Sequence, residues 1–93
     1  MSKDLEEGVN KVVHTLAKAF DAYNTKNIEL DKSTVKFWNK LKKRLPEEVV
    51  KNFEADPAAG QPALRQELTT IGDNAGVKMN LVMYLHEQGI SLD

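Results

Sequence analysis

Ninety-three residues, 41% apolar and 29% charged with net charge −1, describe one globular domain over 1–93, not a disordered chain or a polyion. The absence of cysteine excludes disulfides, thiolate catalysis and cysteine-rich zinc sites. Met1-Ser2-Lys3-Asp4-Leu5-Glu6-Glu7 lacks the apolar core of a secretory signal, and no apolar run approaches the ~20 residues that cross a bilayer, so the chain reads as cytoplasmic with no membrane partner.

Residues 4–24 carry the clearest pattern. Leu5, Val9, Val12, Leu16, Ala19 and Tyr23 follow a 4-3-4-3-4 spacing that lines one helical stripe, widened by Val13 and Phe20. Asp4 and Glu7 are a candidate capping pair. Asn24-Thr25-Lys26-Asn27 breaks the pattern. Asp31 caps a second helix, with Leu30 and Val35 placed as a hydrophobic staple. Val35, Trp38, Leu41 and Leu45 form its expected buried face. Phe37, about 100° from Trp38 around the helix, is expected to be partly exposed.

Pro46 ends that helix and is the expected first residue of a short third helix. Glu47 and Glu48 fill its first turn, and Val49, Val50 and Phe53 are its apolar residues. Residues 55–62, holding two of the three prolines, read as a loop. Pro62 then opens a fourth helix facing inward through Leu64, Leu68 and Ile71. Gly72 closes it and Asp73 or Asn74 caps a fifth. One long helix over 62–88 is the alternative, but two interior glycines at ~1 kcal/mol each favour the break.

The fifth helix, 74–88, is apolar on two sides: Val77, Leu81, Tyr84 and Leu85 on one, Met79, Val82, Met83 and His86 on the other. Such a helix sits at the centre of a bundle or keeps one face for a partner. Gly89 is placed to end it in a left-handed turn, folding Ile90 back. With no strand signal, the fold class is all-α: an orthogonal or bundle-like array of four to six helices.

Charge is segregated. Residues 1–31 carry net −2, residues 32–45 net +6 and residues 46–93 net −5. Lys32, Lys36, Lys40 and Lys43 form a stripe at helical spacing, with Lys42 and Arg44 beside it. A solvated outer face is one reading of this stripe, and contact with an acidic protein surface is another. Nucleic acid is disfavoured, because the rest of the chain is acidic and the block holds one arginine.

No catalytic constellation can be assembled. His14 and His86 fall on different helices and lack metal-ligand spacing. Ser2, Ser33 and Ser91 sit at a terminus or a helix start, and the glycines form no phosphate-binding loop. The chain is therefore expected to be non-enzymatic, with no catalytic residue, cofactor or metal. Its candidate partner-binding residues are Lys36, Phe37, Lys40 and Lys43 on one surface and Met79, Val82, Met83 and His86 on another. The expected partner is a protein with an acidic surface, or a second copy of the chain. A nucleic-acid-associated regulator using helix 32–45 and an inhibitor or immunity-type protein are the alternatives.

The stretch Phe37-Trp38-Asn39-Lys40-Leu41, then Leu45-Pro46-Glu47-Glu48-Val49-Val50, Asp56-Pro57 and Pro62-Ala63-Leu64-Arg65-Gln66-Glu67-Leu68, resembles the small helical effector-associated, death-fold-like adaptor domains of bacterial signalling and defence proteins. The resemblance implies an adaptor role. This chain departs from that setting in standing alone with no effector module beside it, which a free-standing adaptor and an excised domain both fit.

Overall fold

The long amphipathic stripe becomes the organising helix of the computed structural model, which describes residues 3–90 and side chains from Leu5 to Ile90. Helix α1 runs Lys3–Lys26 and buries Leu5, Val9, Val12, Val13, Leu16, Ala17 and Phe20. It packs against α4 (Pro57–Ile71) and α5 (Ala75–Glu87) and touches α3 (Glu47–Ala55). The centre of the bundle is therefore α1, not the fifth helix. The Asp4–Glu7 capping pair involves a side chain outside the described residues. Tyr23, expected in the stripe, is exposed, as is every residue from Tyr23 to Lys26, and the last turn of α1 meets α3 through a polar contact, Asn24 Nδ2 to the Glu54 carbonyl at 2.9 Å. Asn27 then takes a left-handed conformation, φ 55°, a position that asparagine tolerates.

Helix α2 (Lys32–Leu41) is capped as expected: the Asp31 carboxylate accepts the Thr34 N–H at 3.2 Å. Its buried face differs from the sequence expectation. Thr34, Phe37, Trp38 and Leu41 point inward, and Val35 is exposed, so one half of the expected staple lies on the outside. A 3₁₀ turn over Lys42–Arg44 shifts the helical phase before Leu45. Leu45 is buried yet no longer shares a helical row with Val35. The row that is buried instead, i, i+3, i+4, i+7 from Thr34, includes a threonine that a purely apolar pattern omits. Pro46 is the N-cap of α3, one position earlier than expected, with Glu47 and Glu48 in the first turn where the positive helix end favours them.

The largest correction is at residues 55–62. There is no extended loop: Asp56 caps α4 through the Ala59 N–H, Pro57 is its first residue and Pro62 lies inside it. Pro57, Gly60, Leu64 and Leu68 form the buried row. A methyl group on Gly60 would lie 2.7 Å from the Phe53 Cα, so the α4 backbone rests directly on α3. The two residues that look like helix breakers are a helix start and a contact point.

The break before α5 is as expected. Gly72 is the C-cap of α4, and Asn74 caps α5 through the Gly76 and Val77 N–H groups. Gly89 is left-handed, φ 73°. The Ile90 N–H reaches the Leu85 carbonyl at 2.9 Å and the Gly89 N–H reaches that of His86 at 3.0 Å, both bonds of the expected Schellman closure. Ile90 packs on the core. The described residues thus form five α-helices and one 3₁₀ turn with no strand among them: an all-α, bundle-like array.

Candidate functional site

The junction of α2 and α5 is held by three layers of contact. In the core, the Phe37 and Tyr84 rings stack in parallel with centroids 4.3 Å apart. Above them the Tyr84 hydroxyl and Thr34 Oγ1 share a buried hydrogen bond of 2.9 Å. At the rim, Gln88 Nε2 donates to Asp31 Oδ2 at 2.8 Å and to Ser33 Oγ at 2.9 Å. These pairs place the start of α2 against the end of α5, so the two helices run antiparallel.

Two ionisations respond to this packing. Thr34's side chain and then the Gln88 amide hold the Asp31 carboxyl below its ordinary value, since both stabilise the charged form. Burial pushes the Tyr84 phenol up, against the opposing effect of its hydrogen bond with Thr34.

Ser33, Lys36, Phe37 and Lys40 line one wall of the resulting cleft, and Asn80, Met83, Tyr84 and Glu87 line the other. Its enclosed space, about 30 Å³, holds a water or two and no drug-sized ligand. Phe37, one of its lining residues, is only 5% exposed. The expectation of a partly exposed aromatic contact is therefore corrected: stacking on Tyr84 turns the ring inward, and Val35 takes the outer position.

The cleft brings Lys36, Lys40 and Met83 together, members of two surfaces that were separate in the sequence. On the outer side of α5, Met79 is 64% exposed, Val82 43% and Met83 52%, with His86 also in solvent. Both apolar faces of α5 are accounted for: one is core, and the other is open. Lys43 sits in the 3₁₀ turn beyond α2, exposed and outside the cleft lining. The cations from Lys32 to Arg44 are all exposed, and none makes an ion pair among the described residues, where Lys51–Glu47 is the pair formed.

Asn80 and Glu87 join this surface without any warning from periodicity, as they are polar residues beside an apolar row. A second apolar surface also escaped sequence reading. Tyr23 and Val35 are exposed and line a depression together with Phe20, Leu30, Trp38, Asn39, Lys42 and Glu54. There Trp38 Nε1 donates to Glu54 Oε2 at 2.7 Å. Tyr23 and Val35 continue apolar rows in the sequence, but Tyr23 lies in the exposed last turn of α1 and Val35 lies off the Thr34, Phe37, Trp38 and Leu41 row that α2 buries.

His14 and His86 are both exposed and lie on different helices. Ser33 lines the α2–α5 cleft, whereas Ser2 and Ser91 lie outside the described residues. Among the described residues, no three of His, Asp and Glu converge as metal ligands, and no helix is long and apolar enough to cross a membrane. Compared with known protein families, curated proteins and solved structures, the chain matches none.

Proposed function

We propose that this chain is a non-enzymatic helical protein–protein interaction module with an adaptor or regulatory role. The observation that carries the reading is the open face of α5. Three large apolar side chains, Met79, Val82 and Met83, are more than two-fifths exposed on a helix whose opposite side is core. Contiguous exposed apolar surface beside polar residues is the usual mark of a contact site, and methionines adapt to varied partner shapes. The resemblance to adaptor domains of bacterial signalling and defence proteins agrees with this role.

The paired substitution Met79→Glu with Met83→Glu tests it. Both sites are exposed, so each change should alter stability by no more than about 0.5 kcal/mol. The expected result is a folded variant with wild-type melting that loses the self-association or the partners that the unaltered protein captures in its native host. A variant that unfolds, or one that keeps every wild-type association, would overturn the reading.

The nucleic-acid reading rests on one observation, the cationic block from Lys32 to Arg44 without ion pairs among the described residues. The net −7 of the rest of the chain opposes it, so binding to duplex DNA is expected to be weak and lost by roughly 200 mM salt. Nanomolar binding at physiological salt would put that reading first.

A further inference from the structure

We propose that the α2–α5 surface takes an acidic amphipathic helix, a specification of the partner that rests on the interaction-module reading above. Lys36 and Lys40 stand one turn apart on the α2 wall of the cleft, and Met83 stands on the facing wall. Met79, one turn before Met83, is exposed as well and extends the apolar strip along α5 beside Asn80, whereas Val82 lies outside the cleft lining. Because the two helices run antiparallel side by side, the surface has two lanes, one cationic and one apolar. Each repeats at helical spacing.

A helix about 10 Å across laid along the cleft covers both lanes. Its apolar i, i+3, i+4, i+7 row meets the methionines, as in other helix-in-groove complexes. Carboxylates at i, i+4 on one flank meet Lys36 and Lys40. These lysines have no ion-pair partner among the described residues, so an incoming carboxylate displaces only water. Charge complementarity of this kind sets partner choice and association rate.

Glu87 lines the same cleft at the end nearer Lys36. It repels an acid there and fixes which way the partner helix points. The same carboxylate, together with an apolar lane that phosphates cannot cover, disfavours a nucleic-acid backbone in this place.

The test uses a synthetic peptide of about 18 residues, long enough to be helical when docked, with leucines on one row and glutamates on its flank. A second peptide replaces every glutamate with lysine. Backbone amide shifts of the full chain are followed by NMR. The acidic peptide is expected to shift Ser33, Lys36, Lys40, Asn80 and Met83, to bind about tenfold more tightly than the basic one and to weaken from about 50 to about 200 mM salt. Lys36→Glu with Lys40→Glu, two exposed positions that leave the fold intact by circular dichroism, should reverse the preference.

Equal binding of both peptides overturns the acidic specification while leaving the methionine face as a contact site. No binding of either peptide, or shifts that map elsewhere, overturns the proposal. Displacement of the acidic peptide from these residues by duplex DNA or by anionic lipid vesicles, at lower concentration than the peptide itself requires, also overturns it. The interaction-module reading fails separately, through the melting and capture behaviour of the Met79→Glu, Met83→Glu variant.

Discussion

The hydrogen bond between Thr34 and Tyr84 joins α2 to α5 across fifty positions of sequence, and its removal gives a quantitative check on how the candidate site is held. Both side chains are about 1% exposed. Tyr84→Phe leaves the Thr34 hydroxyl buried without this partner, and Thr34→Val does the same to the phenol. An orphaned buried hydroxyl costs about 1–3 kcal/mol, whereas removing both partners together is close to neutral. Each single variant should therefore lose about 1–3 kcal/mol, with the melting temperature falling about 4–8 °C per kcal/mol in a domain of this size. The double variant should recover most of the loss, falling short of the sum of the two single losses by about 2 kcal/mol or more. Urea unfolding followed by fluorescence of the single tryptophan, Trp38, measures all four proteins. Strictly additive losses, or single losses below about 0.5 kcal/mol, would refute the account of this junction. The raised phenol pKa adds a second readout. A group whose folded pKa lies above its unfolded value stabilises the fold below the unfolded pKa, and that contribution is lost as pH rises through the folded one. Wild-type protein should lose this stability at strongly alkaline pH, and Tyr84→Phe should not show that component.

Gly60→Ala should destabilise by about 1–3 kcal/mol despite alanine's better helix propensity, because the added methyl meets the Phe53 backbone at 2.7 Å; thermal melting that rises instead would show that α3 and α4 can move apart freely. Asp31→Ala should cost about 1 kcal/mol through loss of the cap, measured by urea unfolding at neutral pH. Asp31 has a folded pKa below its ordinary value, so its contribution is present above the ordinary carboxylate pKa and disappears as pH falls through the folded value. The acid limb of wild-type stability should accordingly be steeper than that of Asp31→Asn, and identical limbs would contradict the depressed pKa.

What could be read from sequence was what depends on near neighbours. The α1 stripe from Leu5 to Phe20, the Asp31 and Asn74 caps and the Gly89–Ile90 closure all involve residues within a few positions of one another. What could not be read depends on distant partners. Phe37 is buried because Tyr84 stacks on it, and Gly60 is a contact point because the Phe53 backbone lies against it; the Asp56 cap and the Pro57 start of α4, by contrast, are local signals that the loop reading passes over. The candidate site divides the same way. Lys36 and Lys40 were legible as a stripe and Met79, Val82 and Met83 as a face, but the adjacency of the two lysines to Met83, with Asn80 and Glu87 included, exists only once α2 and α5 are paired.

That pairing also ties the surface to the completeness of the fold. Much of this bundle is joined locally, α3 to α4 directly and each helix by its own backbone ladder, whereas the Gln88 clamp onto Asp31 and Ser33 closes a loop of more than fifty residues. Closing so long a loop has an ordering entropy that the contacts of α5 with both α1 and α2 must offset. A chain in which α1, α3 and α4 have already associated would display its lysines, but without the methionine lane beside them. The combined basic and apolar surface is thus a signature of completed folding, and a partner that needs both lanes would discriminate against incompletely folded copies without any separate device for doing so.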